Sequence, residues 1–198
     1  MVEVSPHIKQ KQKHLTDLND NQLMQLVKAG DLDKMSLLFR RHHRSLYGFL
    51  YHMTHDKAGS EDMVQNIFYR MLKYRSSYTG AGAFQTWMFH IARNVLKDHY
   101  KKRQPVAVSD KMDGMTENLT DGLTVIDQLE KKQDQQQLHQ AMELLKVEDR
   151  EILTLSKFQE LKYQEIAEIL DISEGTVKVR VHRALNELKN IYQKNRLL

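Results

Sequence analysis

The 198-residue chain has no cysteine, only two prolines and only eight glycines. Without cysteine it has no disulfides, no cysteine-ligated zinc or iron–sulfur cluster, and no thiol nucleophile. The scarcity of helix breakers, with little β-branched alternation, predicts an all-helical fold. No apolar run approaches the roughly 20 residues of a membrane span, so we expect no stable membrane insertion. The lysine-bearing start lacks an apolar stretch, which favours a cytoplasmic location over secretion.

The composition is that of a globular protein able to bury a core, with 40% hydrophobic and 28% charged residues. Lysine and arginine number 30 against 26 acidic residues, and the resulting net charge of +4 suits an anionic partner. The length allows one or two domains and excludes a large multi-domain enzyme.

Helical spacing of apolar residues predicts four helices in an N-terminal domain at residues 17–103, and further helices in a second domain at 131–198. Asn19 or Asp20, and later Ser60, are the predicted helix caps, and Gly30 is a predicted helix stop. The apolar stripes that we expect to be buried include Phe39, Leu138 and Leu185.

Between the two domains the charge pattern changes. Residues 105–130 contain six acidic side chains and one lysine, and six minus one leaves a local charge of −5. We therefore predict that residues 104–130 form a flexible acidic linker.

Residues 162–188 have the pattern of a helix-turn-helix. Asp171 takes the tight-turn position, where aspartate tolerates a left-handed backbone, and Ser173 is the predicted cap of the second helix. Opposite or beside the apolar stripe of that helix, a helical wheel places Thr176, Lys178, Val179, Arg180, His182 and Arg183. Arginine pairs with guanine and valine packs on a thymine methyl group, so this face is predicted to read a major groove. The alternative is a helical hairpin with a solvated basic face.

The predicted fold class is therefore all-α, with two small helical domains joined by a flexible acidic linker, the second being a helix-turn-helix domain. Several segments in order carry a family resemblance: GDLDKMSLLFRRHHRSLYGFL at 30–50, DMVQNIF at 62–68, FQTWMFHIARN at 84–94 and EIAEILDISEGTVKVRVHRAL at 165–185. Together they resemble the extracytoplasmic-function (ECF) subfamily of bacterial RNA polymerase sigma factors. The resemblance covers residues 17–103 and 131–195.

This resemblance implies a factor that binds core RNA polymerase and directs promoter-specific initiation by recognising the minus-ten and minus-thirty-five elements. Its implied core-binding residues are Asp62, Gln65, Asn66, Tyr69 and Lys73. Its implied minus-ten contacts are Tyr78, Phe84, His90, Arg93, Asn94, Lys97 and Lys101. The outward residues of the last helix would contact the minus-thirty-five duplex.

The resemblance further implies that an anti-sigma factor is a partner, that no cofactor is used and that the chain is not an enzyme. In relatives the linker threads through polymerase channels; a solvated tether is the alternative here. Two departures bear on promoter choice. The 78–83 loop lacks the acidic or serine-rich character common in the family, and Val179 replaces a frequent serine.

Two other interpretations compete with a sigma factor. An enzyme has little support, because Gly80-x-Gly82 lacks both a third glycine and a preceding strand, and no catalytic triad stands out. His52 and His55 have no partnering acid motif, so we expect surface histidines and no metal site. A one-component helix-turn-helix repressor would instead form a homodimer and bind a symmetric operator.

Overall fold

Helices account for the architecture of the computed structural model, which describes residues 18–103 and 137–196. They are α1 (Asp20–Lys28), α2 (Met35–Thr54), α3 (Lys57–Lys73), α4 (Phe84–Arg103), α5 (137–143), α6 (Val147–Leu153), α7 (Tyr163–Leu170) and α8 (Glu174–Arg196). No strand occurs in these two ranges, and no helix there is long and apolar enough to span a membrane. The all-α prediction is confirmed, and the predicted acidic linker lies outside the described residues.

Local sequence sets several of the helix ends. Asn19 caps α1 and forms a capping box with Gln22, and Gly30 follows that helix with a φ of 108°, as predicted for a stop. The predicted cap of α3 at Ser60 was wrong. Asp56 caps this helix by accepting a hydrogen bond from the Gly59 amide at 2.9 Å, and Ser60 is buried one turn further on. Aspartate caps helices as well as serine does, and because Asp56 comes first in the sequence, the helix begins there.

Helices α2, α3 and α4 pack on one another and, with α1, enclose the N-terminal core. Phe49 and Phe89 lie at its centre, edge to face with ring centroids 5.4 Å apart, and both are almost fully buried. Each such aromatic contributes about 1.5–3 kcal/mol through burial. Phe39, predicted for the buried stripe of α2, is instead 39% exposed and packs at the rim against Phe68.

Helices α6, α7 and α8 form the helix-turn-helix domain, with α6 continuing into a π-helical turn at Thr154–Phe158. Asp171 has φ 56° and ψ 50°, the predicted left-handed turn. Ser173 Oγ accepts a hydrogen bond from the Thr176 amide at 3.1 Å, so the predicted cap is confirmed as well. Leu138 and Leu185, predicted as buried, lie at the edge and are 37% and 36% exposed.

The two domains are in direct contact. Helix α4 packs against α7, and α2 packs against α6 and the π-helical turn. Buried apolar residues of both domains form one continuous cluster. The Ser45 hydroxyl also donates a hydrogen bond to Gln159 Oε1 across the junction. We call this the closed arrangement.

Candidate nucleic-acid interface

The predicted DNA-reading residues of α8 all reach solvent. The exposed ones are Lys178, Val179, His182 and Arg183, and the half-buried ones are Thr176 and Arg180. Val179 is 67% exposed, so its methyl groups are accessible to a partner. Arg183 Nη2 lies 3.4 Å from Asp149 Oδ1, and this long contact leaves the Arg183 side chain 69% exposed. The face is open to a duplex in the closed arrangement.

The polar face of α4 is only partly open. Its exposed members are His90, Asn94, Lys97 and Lys101. Arg93 is engaged by the other domain. Its Nε and Nη2 donate to the two carboxylate oxygens of Glu151 at 2.7 and 3.3 Å, and its Nη1 donates to the Ile169 carbonyl at 3.2 Å. Partial burial and the neighbouring Arg93 lower the pKa of His90.

Two of the implied minus-ten contacts belong to the core. Tyr78 and Phe84 are only 2% and 3% exposed, and Trp87 packs beside both rings. The Tyr78 hydroxyl donates to Asn21 Oδ1 at 2.6 Å. In the closed arrangement the two rings fill the space under the loop and do not reach solvent, so direct DNA contact by these two residues stays a prediction. From this position the two rings support the shape of the 78–83 loop.

Helix α1 holds the 78–83 loop in place. Lys28 Nζ donates to the Tyr78 carbonyl at 2.6 Å, and Asn21 Nδ2 donates to the Gly82 carbonyl at 3.2 Å. Gly80 has a φ of 72°, a backbone conformation that glycine adopts without strain. The loop is thus held mainly through its backbone carbonyl groups and the Tyr78 hydroxyl, and the Thr79 hydroxyl adds one bond by accepting from the Ala81 amide at 3.3 Å. Sequence reasoning assigned no role to α1 in this loop.

The five implied core-binding residues lie together on the solvent face of α3. They are Asp62, Gln65, Asn66, Tyr69 and Lys73, and all are exposed. Tyr69 is the large aromatic among them, at 63% exposure. Arg70 Nε donates to Asn66 Oδ1 at 3.2 Å, which orders one side of this surface. A polar surface around a single exposed aromatic is typical of a protein-docking site.

Comparison with known proteins identifies the two domains. Residues 38–106 match Sigma-70 region 2, and residues 135–188 match Sigma-70, region 4. Over 171 residues the chain is 32% identical to RNA polymerase sigma factor YlaC of Bacillus subtilis (strain 168), covering 83% of this chain and 95% of that protein. The chain belongs to the ECF RNA polymerase sigma factors. It is also 30% identical to ECF RNA polymerase sigma factor SigW of the same organism, over 82% of this chain and 91% of that protein.

Solved structures show the same fold for this sigma factor. The structure of CnrH in complex with the cytosolic domain of CnrY matches with a TM-score of 0.66 and 20% identity, covering 88% of this chain and 97% of that one. The sigma factor RpoE bound to the anti-sigma factor NepR from Bartonella quintana matches with a TM-score of 0.65 and 21% identity, covering 80% and 96%. The family membership favours transcription initiation over the repressor alternative.

The domain junction of the sigma factor also gathers histidines that lie far apart in sequence. His55 Nδ1 lies 3.1 Å from His139 Nε2 and 3.2 Å from Glu143 Oε1. Arg150 Nη1 donates to His55 Nε2 at 2.9 Å. Burial and the neighbouring histidine His139 lower the pKa of both His52 and His55 to about 4, and Arg150 adds to the effect on His55. His52 and His55 are therefore half-buried and neutral, not the surface histidines that spacing predicted.

Proposed function

We propose that this sigma factor selects promoters through three separate surfaces: the solvent face of α3 for core RNA polymerase, α4 with the 78–83 loop for the melted minus-ten element, and α8 for the minus-thirty-five duplex. The observation that carries the proposal is the order of the two sigma regions in one chain, each presenting exposed polar side chains. Tethering two weak DNA contacts on one polymerase multiplies their effect. Function here is binding, not catalysis.

Run-off transcription tests the whole proposal. Purified chain and core RNA polymerase are mixed on genomic fragments, and we expect discrete transcripts that neither component gives alone. The control is the chain with Arg183→Ala and Tyr69→Ala together, which should give little or no transcript. A chain that binds a symmetric operator as a dimer, and gives no transcript with core enzyme, would refute the assignment.

The α3 surface is proposed to dock on the polymerase through Gln65 and Tyr69. An exposed tyrosine at the centre of an interface is worth about 2 kcal/mol or more when truncated. We therefore expect Gln65→Ala with Tyr69→Ala to weaken core binding by more than tenfold in a pull-down or fluorescence titration. Leu144→Ala is the matched control, because Leu144 is a large apolar side chain of similar exposure, 64%, in the other domain. Equal losses in both variants would remove Tyr69 from the interface.

The α4 surface is proposed to hold the separated strands. Lys97 and Lys101, both exposed, are proposed to contact phosphates, and the exposed Asn94 is proposed to offer its amide to a base taken out of the stack. Arg93 would join them only after its ion pair with Glu151 opens. Promoter opening on this proposal thus requires the two domains to separate.

We place the protein in the cytoplasm, where its polymerase and promoter DNA are found. An anti-sigma factor is the proposed regulatory partner. Support comes from the solved neighbours, since one of them is a sigma factor bound to an anti-sigma factor. Purification from the native host under mild conditions should recover such a partner at equal stoichiometry, and its recovery should be lost when core polymerase is supplied in excess.

A further inference from the structure

The junction between the two domains contains three side chains with the chemistry of metal ligands. His55 ends α2 in the N-terminal domain, and His139 and Glu143 lie four residues apart on α5, hence on one face of that helix. We propose that these three residues bind one divalent transition-metal ion of the zinc class, which fastens the two domains in the closed arrangement. Nitrogen and carboxylate donors are the ligands that such ions take.

The distances between the donor atoms fit one ion. His55 Nδ1 is 3.1 Å from His139 Nε2 and 3.2 Å from Glu143 Oε1, and His139 Nε2 is 3.7 Å from that same oxygen. With zinc bonds of about 2.0–2.1 Å, donors in a tetrahedral site are separated by about 3.3 Å. The three atoms therefore need to move by only tenths of an ångström. The Glu143 side chain is 44% exposed, so water can occupy the fourth coordination position beside it.

Neighbouring groups hold the two imidazoles in position. Tyr51, itself buried, stacks on His139 with ring centroids 5.5 Å apart and planes 10° apart. His55 has φ 54° and ψ 22°, the left-handed conformation of a helix C-terminal cap, and it ends α2 just before the chain enters α3.

Arg150 is the group that opposes the ion. A guanidinium only donates, so its 2.9 Å contact with His55 Nε2 places the proton of the metal-free ring on Nδ1. Metal binding through Nδ1 moves this proton to Nε2, and Arg150 Nη1 must turn away. Arg150 Nη2 keeps the carbonyl oxygens of Glu143 and Leu145 within 3.3 and 3.4 Å. The site should therefore bind its ion with moderate affinity and reversibly.

Titration of the full, tag-free chain with Co²⁺ tests the ligands directly. We expect one equivalent, with the visible absorption of a tetrahedral site, and displacement by Zn²⁺. His139→Gln and His55→Asn should abolish the spectrum, and asparagine keeps the left-handed backbone of position 55. His43→Gln is the matched control, since His43 lies on the same helix about 18 Å away along its axis. No tetrahedral spectrum in the wild type, or an unchanged one in both ligand variants, would overturn the proposal.

Arg150→Gln is a second test, in which the affinity for Co²⁺ should increase instead of decrease. Removing the positive charge beside His55 should tighten Co²⁺ binding by roughly tenfold, because like charges disfavour each other at short range. The shorter amide side chain of this variant can still donate a hydrogen bond to one of the two carbonyl groups. If the variant binds Co²⁺ more weakly than the wild type does, His55 is not a ligand.

Domain closure is measured separately by fluorescence transfer. The chain has no native cysteine, so Asp33→Cys and Lys189→Cys, both exposed and one in each domain, take a dye pair without side reactions. Zn²⁺ should raise transfer, and a chelator should reverse it. At a hundredfold excess over the dissociation constant, the closed form gains about a hundredfold in population over the open one. Glu143→Gln should abolish the response, and unchanged transfer in the wild type would refute the fastening role.

The regulatory consequence rests on the proposed function, whereas the spectral and distance readouts do not need polymerase. Because Arg93 is engaged by Glu151 in the closed arrangement, Zn²⁺ should lower run-off transcription by the wild type. Any effect of Zn²⁺ on the polymerase is cancelled by comparison with His139→Gln. Equal inhibition of both proteins would refute the regulatory consequence, and metal binding would then be judged by the Co²⁺ titration alone.

Discussion

Helices α4 and α8 both carry a row of polar side chains opposite a buried stripe, but their surroundings differ. On α8 the row faces solvent, and Val179 and Arg183 are both about two-thirds exposed. On α4 the central member of the row, Arg93, donates its hydrogen bonds to Glu151 and Ile169 of the other domain. Helical periodicity identifies the side of a helix that faces away from its own core, but it contains no information about a second domain that covers that side.

Substitution of Arg183 tests the open surface and has the largest expected effect. Arg183→Ala should cost about 1–3 kcal/mol in promoter binding and relax selectivity at one upstream base pair, because a bidentate contact to guanine is lost. A competition assay over single-base variants of the upstream element measures both. Lys189→Ala, further along α8, is the control. Uniform loss on every upstream sequence would reassign Arg183 to a phosphate contact.

The covered surface is tested by a pair of substitutions with opposite signs. Glu151→Gln should weaken the hold on Arg93 by about 1 kcal/mol, since a charge-assisted hydrogen bond becomes a neutral one, and should increase open-complex formation roughly fivefold. Arg93→Ala should decrease it, because the DNA contact is lost with the domain contact. Permanganate footprinting at one salt concentration reports both. A decrease with Glu151→Gln would mean that the ion pair supports the active form rather than competing with it.

Lys101 extends the comparison to the exposed end of α4 and has the smallest effect. Lys101→Ala should reduce open-complex stability a few-fold and lower the slope of log affinity against log salt by about 0.7–0.9, the value for one lost phosphate contact. Lys34→Ala is the control, because Lys34 is held by Asp31 at 3.1 Å and lies in a different element. An unchanged slope for Lys101→Ala would remove this residue from the strand-binding surface.

Much of the fold follows from local signals in the sequence. The capping box at Asn19, the left-handed turn at Asp171 and the cap at Ser173 each depend on residues within one helical turn, and the structure has all three. Phe39 shows where such signals fail. Periodicity gave Phe39 a buried position although it lies at the rim.

Part of the candidate site was also predictable from local spacing along single helices. The exposed residues of α3 and α8 lie on faces that a single helix defines, and their spacing was sufficient to group them. The junction contacts were not predictable. Arg93 and Glu151 are separated by 58 positions, and His55 and His139 by 84, so no local pattern relates them. Only the packing of one domain on the other brings these pairs together.

Helix α1 supports the backbone of the 78–83 loop, which lies next to the proposed minus-ten surface. The similarity to sigma region 2 begins at residue 38, yet Asn21 and Lys28, which fix the loop backbone, precede it. A fragment trimmed to the boundary of that similarity would keep every residue of the loop and lose the supports that give it one shape. If the loop selects the base as proposed, base selection depends also on α1, and sequence variation in α1 would change promoter preference without any change in the loop itself.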